Sequence, residues 1–250
     1  MKKLREITLL CHHTLSSRSH YSLFRIAPFL KGQALTVAST LRRILLTEIG
    51  TIHATSLIVQ KPTNVLHEFS LVSGFKESFP EILSNLREIV FRVSDDSFLN
   101  EKNENETETV LSLTNYARLS SKGKGFVTAQ DILFLPTNKT KNIHVVDTKQ
   151  HIATAVSPHA VLEIDLELRY SKQYLTCVEQ SFPSEKNSKI IHPLNSSFSP
   201  VNRVNYFIKQ NPSLTYEFIL LEIWTDGSIT PAEALGHSSI ATKQLFQPFV

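Results

Sequence analysis

Hydrophobic positions along the chain fall into a few clear periodicities. Val37, Leu41, Ile44 and Leu45 recur at i, i+4, i+7 and i+8, the spacing of one helical face. They predict a helix over about Thr36 to Glu48, with Gly50 as its stop. Ile82, Leu83, Leu86, Ile89 and Val90 predict a second helix that begins near Pro80, a residue suited to a first helical turn. Between Leu162 and Tyr170 the period changes to two. Leu162, Ile164, Leu166, Leu168 and Tyr170 alternate with Glu163, Asp165, Glu167 and Arg169, which predicts a strand with one dry and one wet face in an antiparallel sheet. A second strong strand, Tyr216 to Trp224, runs into the turn Asp226-Gly227. Thr230-Pro231-Ala232-Glu233 then reads as a capping box. It opens a helix with a stripe at Ala234, Ala241, Leu245 and Phe249, weakened at Gly236 by ~1 kcal/mol relative to alanine.

The remaining segments are quieter. The first 25 residues read as a polar arm leading into a strand, followed by a loop with Pro28 and Gly32. His53 to Val59 reads as a strand, and a turn around Pro62 and Asn64 separates it from Val65-Leu66-His67-Glu68-Phe69. Asp95 to Glu108 is acidic and polar, a solvated loop, while Ser181 to Pro200 is rich in Ser, Asn and Pro and reads as connection. No internal repeat is present.

Composition narrows the function classes. The 250 residues are 41% hydrophobic and 20% charged, enough for a real core and unlike a disordered chain. A formal charge of +3 is thin for a protein that holds nucleic acid mainly through phosphates. Cys11 and Cys177 are the two cysteines, and neither sits in a metal-binding spacing. No run of ~18 apolar residues exists, so no membrane partner is expected.

Catalytic constellations are weak. Cys11-His12-His13 lacks a second ligand pair at a useful spacing. Lys122-Gly123-Lys124-Gly125 has glycine and charge but not the spacing of a phosphate loop. Asp95-Asp96 reads as a solvated turn, and His67-Glu68 has no nucleophile to serve. No catalytic residue, metal or cofactor is expected. Arg42-Arg43 admits two readings. Both arginines could be ordinary surface charges on an amphipathic helix, or they could form an interface fork that grips carboxylates.

Six blocks in order resemble the N-terminal domain of the alpha subunit of bacterial-type DNA-directed RNA polymerase. Thr36-Val37-Ala38-Ser39-Thr40-Leu41-Arg42-Arg43-Ile44-Leu45-Leu46 resembles that family's Thr-Leu-Gly-Asn-Ala-Leu-Arg-Arg-Ile-Leu-Leu. Val65-Leu66-His67-Glu68-Phe69-Ser70 is similar to Val-Leu-His-Glu-Tyr-Ser, and Glu81 to Leu86 to the helix after it. Gly125 to Ile132 resembles Gly-Pro-Val-Thr-Ala-Ala-Asp-Ile, and Phe198 to Val204 resembles Tyr-Ser-Pro-Val-Glu-Arg-Ile. Glu222 to Pro231 resembles Glu-Met-Glu-Thr-Asn-Gly-Thr-Ile-Asp-Pro.

The resemblance implies a two-part α+β fold with a discontinuous dimerisation subdomain, residues 1–55 and 185–250, built as an antiparallel sheet with helices. An inserted β-rich subdomain would span 56–184. It implies a non-catalytic scaffold in a nucleotidyltransferase complex. Such a chain pairs with a second alpha chain, captures the beta and beta-prime subunits, and meets DNA only through the complex. Arg42, Arg43, His67, Glu68, Ser199 and Pro200 would dock those partners. Val37, Leu41, Ile44, Leu45, Ala241, Leu245 and Phe249 would line the dimer seam. Ala38-Ser39-Thr40 departs from the family's Gly-Asn-Ala, and Ser171-Lys172-Gln173-Tyr174 replaces a glycine-rich basic stretch. The family continues past the point matching Val250 into a small promoter-binding helical domain, expected to be absent here. Few glycines and an abundance of Lys, Asn, Ser and Thr resemble plastid-encoded versions and imply a chloroplast location. The competing reading is a stand-alone nucleic-acid-binding module using the basic arm of Lys2, Lys3, Arg5, Arg18 and Arg25; it predicts steep salt dependence.

Overall fold

The computed structural model describes residues 6–63, 67, 69–93, 115–134, 143–172, 185–186, 189–210 and 216–249. The chain divides into two compact units, one of Met1–Gly50 with Ser199–Val250 and one of Thr51–Phe198. The sequence placed these divisions near residues 55 and 185.

The first segment supplies β1 (Glu6–Ser16), β2 (Ser19–Leu30) and α1 (Gln33–Thr47). The inserted unit opens with β3 (Thr51–Lys61), α2 (Phe79–Arg87) and β4 (Phe91–Val93). It continues with β5 (Asn115–Lys122), β6 (Gly125–Thr128), β7 (Ile132–Phe134) and β8 (Ile143–Val145). It ends with β9 (His151–Ala155), β10 (Val161–Ser171), β11 (Glu185–Lys186) and β12 (Lys189–Pro193). The last segment returns to the first unit with β13 (Val201–Gln210), β14 (Tyr216–Thr225) and α3 (Pro231–Phe246).

In the discontinuous unit an antiparallel sheet runs β1-β2-β14-β13. Phe24, Ile26, Ile219, Leu221 and Ile223 point to one face, where they meet Ala34, Ala38, Leu41 and Leu45 of α1 and Ala234 and Leu235 of α3. The small Ala34 and Ala38, both fully buried, let α1 lie close against the strands. A left-handed Gly32 at φ 85° precedes α1, and its N–H donates to Glu217 Oε2 at 3.0 Å. The α3 capping box forms as its spacing predicts. Thr230 N–H donates to Glu233 Oε2 at 2.8 Å, and Glu233 N–H donates back to Thr230 Oγ1 at 3.3 Å.

The inserted unit has a six-stranded sheet, β11-β12-β3-β10-β5-β7, and two ribbons, β4-β8 and β6-β9. β10 sits in the middle, and its Leu162, Ile164, Leu166 and Leu168 are at most 1% exposed. They pack with Phe79, Ile82 and Leu86 of α2 in one core. Glu81 opens α2 by accepting the N–H and the hydroxyl of Ser78 at 2.7 and 2.8 Å.

Several expectations need correction. Residues 6–30 form a long hairpin, not a polar arm; ten of the eleven β1 residues are exposed, so no dry face marks the strand in the sequence. Pro28 lies inside β2 and not in a loop. The first helix starts at Gln33, earlier than Thr36. Ile89 and Val90 follow α2 instead of belonging to it, though both are buried. The stretch expected as connection, Ser181 to Pro200, contains β11 and β12. The acidic run Asp95 to Glu108 lies outside the described residues.

Candidate docking interface

α1 carries the paired arginines because its buried stripe leaves them no room inside. With Ala34, Ala38, Leu41 and Leu45 turned inward, a rotation of 100° per residue puts Arg42 beside the stripe and Arg43 on the far side. Both are exposed, and among the described residues neither takes part in an ion pair. Hydroxyls tie themselves back to the same helix: Thr40 to Thr36 O at 2.8 Å and Thr47 to Arg43 O at 2.9 Å. Two guanidinium forks thus stand on one helix without an ion-pair partner among the described residues, a geometry suited to a carboxylate. Ser199 and Pro200 lead directly into β13, the strand on which α1 packs. Ser199 is half-buried, and its hydroxyl donates to Val201 O at 3.3 Å; Pro200 is buried.

His67 belongs to the inserted unit and organises a tight turn. Its N–H donates to Ser70 Oγ at 3.0 Å, its carbonyl accepts Ser70 N–H at 2.9 Å, and its Nδ1 accepts Phe69 N–H at 3.2 Å. His67 itself is exposed. Phe69 and Leu71 stand 71% and 83% exposed beside it. Glu68 lies outside the described residues.

The expected seam residues separate into two groups. Leu41, Ile44 and Leu45 are buried, with Leu45 fully so, and Val37 is half-buried against the same core. They close the chain's own interior. On α3 the stripe behaves differently. Ala234, Leu235 and Ser238 are buried, and Ala241 is half-buried, but Leu245 on the same face is 57% exposed. Phe246 next to it is 53% exposed, and Ile240, on another side of the helix, is 44% exposed. The backbone of Phe249 lies in the short 3₁₀ turn Gln247–Phe249 that follows. The sequence did not single out Ile7 and Leu9 of β1. They pair with Ile26 and Phe24 and so share the helix side of the sheet, yet are 56% and 55% exposed. Only their apolar character inside a weak pattern could have signalled them.

Cys11 Sγ and His13 Nε2 lie 3.0 Å apart on β1, while His12 turns to Ser22 Oγ at 2.9 Å. Among the described residues no group of three or more His, Cys, Asp or Glu side chains is placed to hold a metal ion. Nor is any described helix long and apolar enough to cross a membrane.

Comparison with known proteins extends this picture. The chain is 36% identical over 237 residues to the DNA-directed RNA polymerase subunit alpha of Takakia lepidozioides, covering 94% of this chain and 61% of that protein. Against the same subunit of Coffea arabica it is 37% identical over 239 residues, covering 95% and 62%. For Angiopteris evecta the identity is 36% over 237 residues, covering 94% and 61%. The chain thus spans about three fifths of the length of these relatives. The match to the family described as the RNA polymerase Rpb3/Rpb11 dimerisation domain runs over residues 27–246, from the end of β2 to the end of α3. This α+β chain, with its discontinuous sheet-and-helix unit, belongs to the RNA polymerase Rpb3/Rpb11 dimerisation domain family.

Proposed function

We propose that this chain is an assembly scaffold subunit of the plastid DNA-directed RNA polymerase. It pairs with a second alpha chain and docks the beta and beta-prime subunits, which carry out nucleotidyl transfer. The observation that carries this reading is the apolar face of α3, buried at Ala234 and Leu235 and open at Leu245 and Phe246. A helix whose dry stripe outruns its own core calls for a second surface, and a family of dimerisation domains supplies the kind of partner. Ile7 and Leu9 extend the same dry side onto β1, so an isologous seam would draw on α3 and β1 of each copy.

In this reading Arg42 and Arg43 are handles for acidic groups on the large subunits, Ser199 and Pro200 are further contacts on the same unit, and His67 and Glu68 are separate contacts on the inserted unit. The relatives' plant sources support a chloroplast stroma location; fractionation that leaves the chain outside plastids would refute it. Sedimentation at micromolar concentration tests the seam. The parent chain is expected as a dimer and Leu245→Asp as a monomer; a monomeric parent rejects the homodimer. Co-expression with the large subunits tests docking separately. Arg42→Ala/Arg43→Ala should still dimerise and capture much less beta, and undiminished capture removes the arginines from the docking role.

A further inference from the structure

The outer face of the discontinuous unit's sheet, opposite its helices, carries a row that neither dimerisation nor docking uses. His13 of β1 pairs with Tyr21 of β2, Tyr21 with Trp224 of β14, and Trp224 with Arg203 of β13. Directly opposed residues share a face, so one planar group from each of the four strands lies in line across the sheet. The His13 and Tyr21 rings are stacked, 6.2 Å between centroids and 8° between planes. Tyr21 and Trp224 are 4.9 Å apart, and the Arg203 guanidinium lies 4.9 Å over the Trp224 ring. Three gaps of about 4.8 Å between strands give the row a length of roughly 14 Å. Tyr21 is oriented by its hydroxyl, which donates to Glu222 Oε1 at 3.1 Å. Arg25 lies on the same face over Phe218 at 4.8 Å, and strand alternation adds Lys209. Among the described residues the face therefore carries three cations against two carboxylates, Glu222 and, opposite Ala27 at the far end of β1, Glu6.

We propose that this row is a stacking platform for a single-stranded polynucleotide, with bases on the His13–Tyr21–Trp224 rings and phosphates met by Arg203, Arg25 and Lys209. Antiparallel four-stranded sheets with exposed rings accept two or three bases in this way, and ring stacking tolerates any base. The charge distribution favours that occupant over a protein. The core of a protein interface is depleted of charge, whereas Arg25, Glu222 and Arg203 are spread through this face. The platform uses none of the α3 seam or the arginines of α1, so it stands or falls independently of the scaffold role.

Trp224 is the one tryptophan in the sequence, which makes its fluorescence a direct reporter. The full chain, at low salt, is titrated with a short uridine homopolymer, a thymidine homopolymer, and inorganic polyphosphate of matched charge. The platform requires saturable Trp224 quenching by one or both homopolymers and none by polyphosphate; preference between the two identifies RNA or single-stranded DNA as the source. Tyr21→Leu is expected to weaken binding about tenfold. Tyr21→Phe, which keeps the ring, should bind as the parent does, and this pair separates stacking from a folding defect. Arg203→Gln should weaken binding several-fold and flatten its salt dependence. Lack of quenching by both homopolymers overturns the proposal. Equal competition by polyphosphate overturns it too, as does a blue shift of Trp224 that depends on protein concentration and shows a second copy covering the face.

Discussion

The two large sheets share one design and finish it differently. Each buries one face against helical packing, and along β10 in one and β2 and β14 in the other the opposite face opens outward. On β10 the outer face is stitched with charge: Glu163 to Lys61 at 3.2 Å, Asp165 to Arg118 at 2.6 Å, and Glu167 to Arg169 at 2.8 Å. Gln60 and Ser56 add hydrogen bonds to Asp165 and Glu167 at 2.6 and 2.8 Å. On β2 and β14 the corresponding positions are Tyr21, Leu23, Leu220 and Trp224, with cations laid over rings. The first face is satisfied by its own neighbours and by water. The second keeps rings half-exposed, an arrangement that gains from contact with something planar.

The largest expected effect tests whether the dry faces are equivalent. Ile164→Ala and Ile223→Ala remove fully buried side chains from the two sheets, and each should cost about 2–5 kcal/mol. Urea unfolding followed separately in each unit checks this, and a cost well below that range at Ile223 would mean that the discontinuous unit's core is loosely packed. Next come the outer faces. Trp224→Leu should cost about 1–2 kcal/mol through lost ring and cation contacts. Arg118→Ala should cost about 1 kcal/mol or less and lose even that in high salt. Similar salt dependence for the two variants would break the contrast.

Acid sharpens the comparison, because a carboxylate in each unit responds with opposite sign. Burial alone would raise the pKa of Glu77, but the N–H and hydroxyl of Thr154 and the ring of His151 outweigh it and hold the group at about 2. Its contribution is present above the ordinary value of 4.5 and fades as pH falls towards 2. Burial raises the pKa of Asp226 despite the Ser228 hydroxyl and amide, so its neutral form favours folding, a gain lost as pH rises through the raised value. Lowering the pH from 5 to 3 should destabilise the inserted unit less in Glu77→Gln than in the parent. Asp226→Asn should remove the opposite trend in the other unit, and denaturant midpoints at both pH values decide each case. The smallest effect is Gly236→Ala on α3, where a Cβ meets nothing within 4 Å. About 0.5–1 kcal/mol of added stability is expected, read as a higher melting temperature.

The same contrast explains what the sequence disclosed. β10 was legible because its outer face is charged, so a period of two stands out from Leu162 to Tyr170. β14 stood out as a strong strand but without clean alternation, because Leu220 and Trp224 share its outer positions with Glu222. β1 carries no alternation at all, since both its faces are exposed, and a strand defined only by its partner's hydrogen bonds leaves little trace in composition. α1 was found from Leu41, Ile44 and Leu45, but periodicity cannot say whether a dry stripe faces its own sheet or a second chain. The structure places those three inside and leaves the opening on α3. The His13–Tyr21–Trp224–Arg203 row joins residues from both ends of the chain, so no local window could contain it.

The division of one unit between the two ends of the chain also orders events during synthesis. β2 pairs with β14, yet all of Thr51–Phe198 must leave the ribosome between them. A nascent chain would therefore complete the inserted unit while the β1–β2 hairpin and α1 wait with Phe24, Ile26 and Leu45 unburied. Domains generally fold as they emerge, and apolar surface left waiting invites capture by chaperones. Closing a loop that long costs more entropy than a hairpin does. In an already folded insert the ends are held by structure instead of by a free chain, so the early unit acts as a splint for the late one.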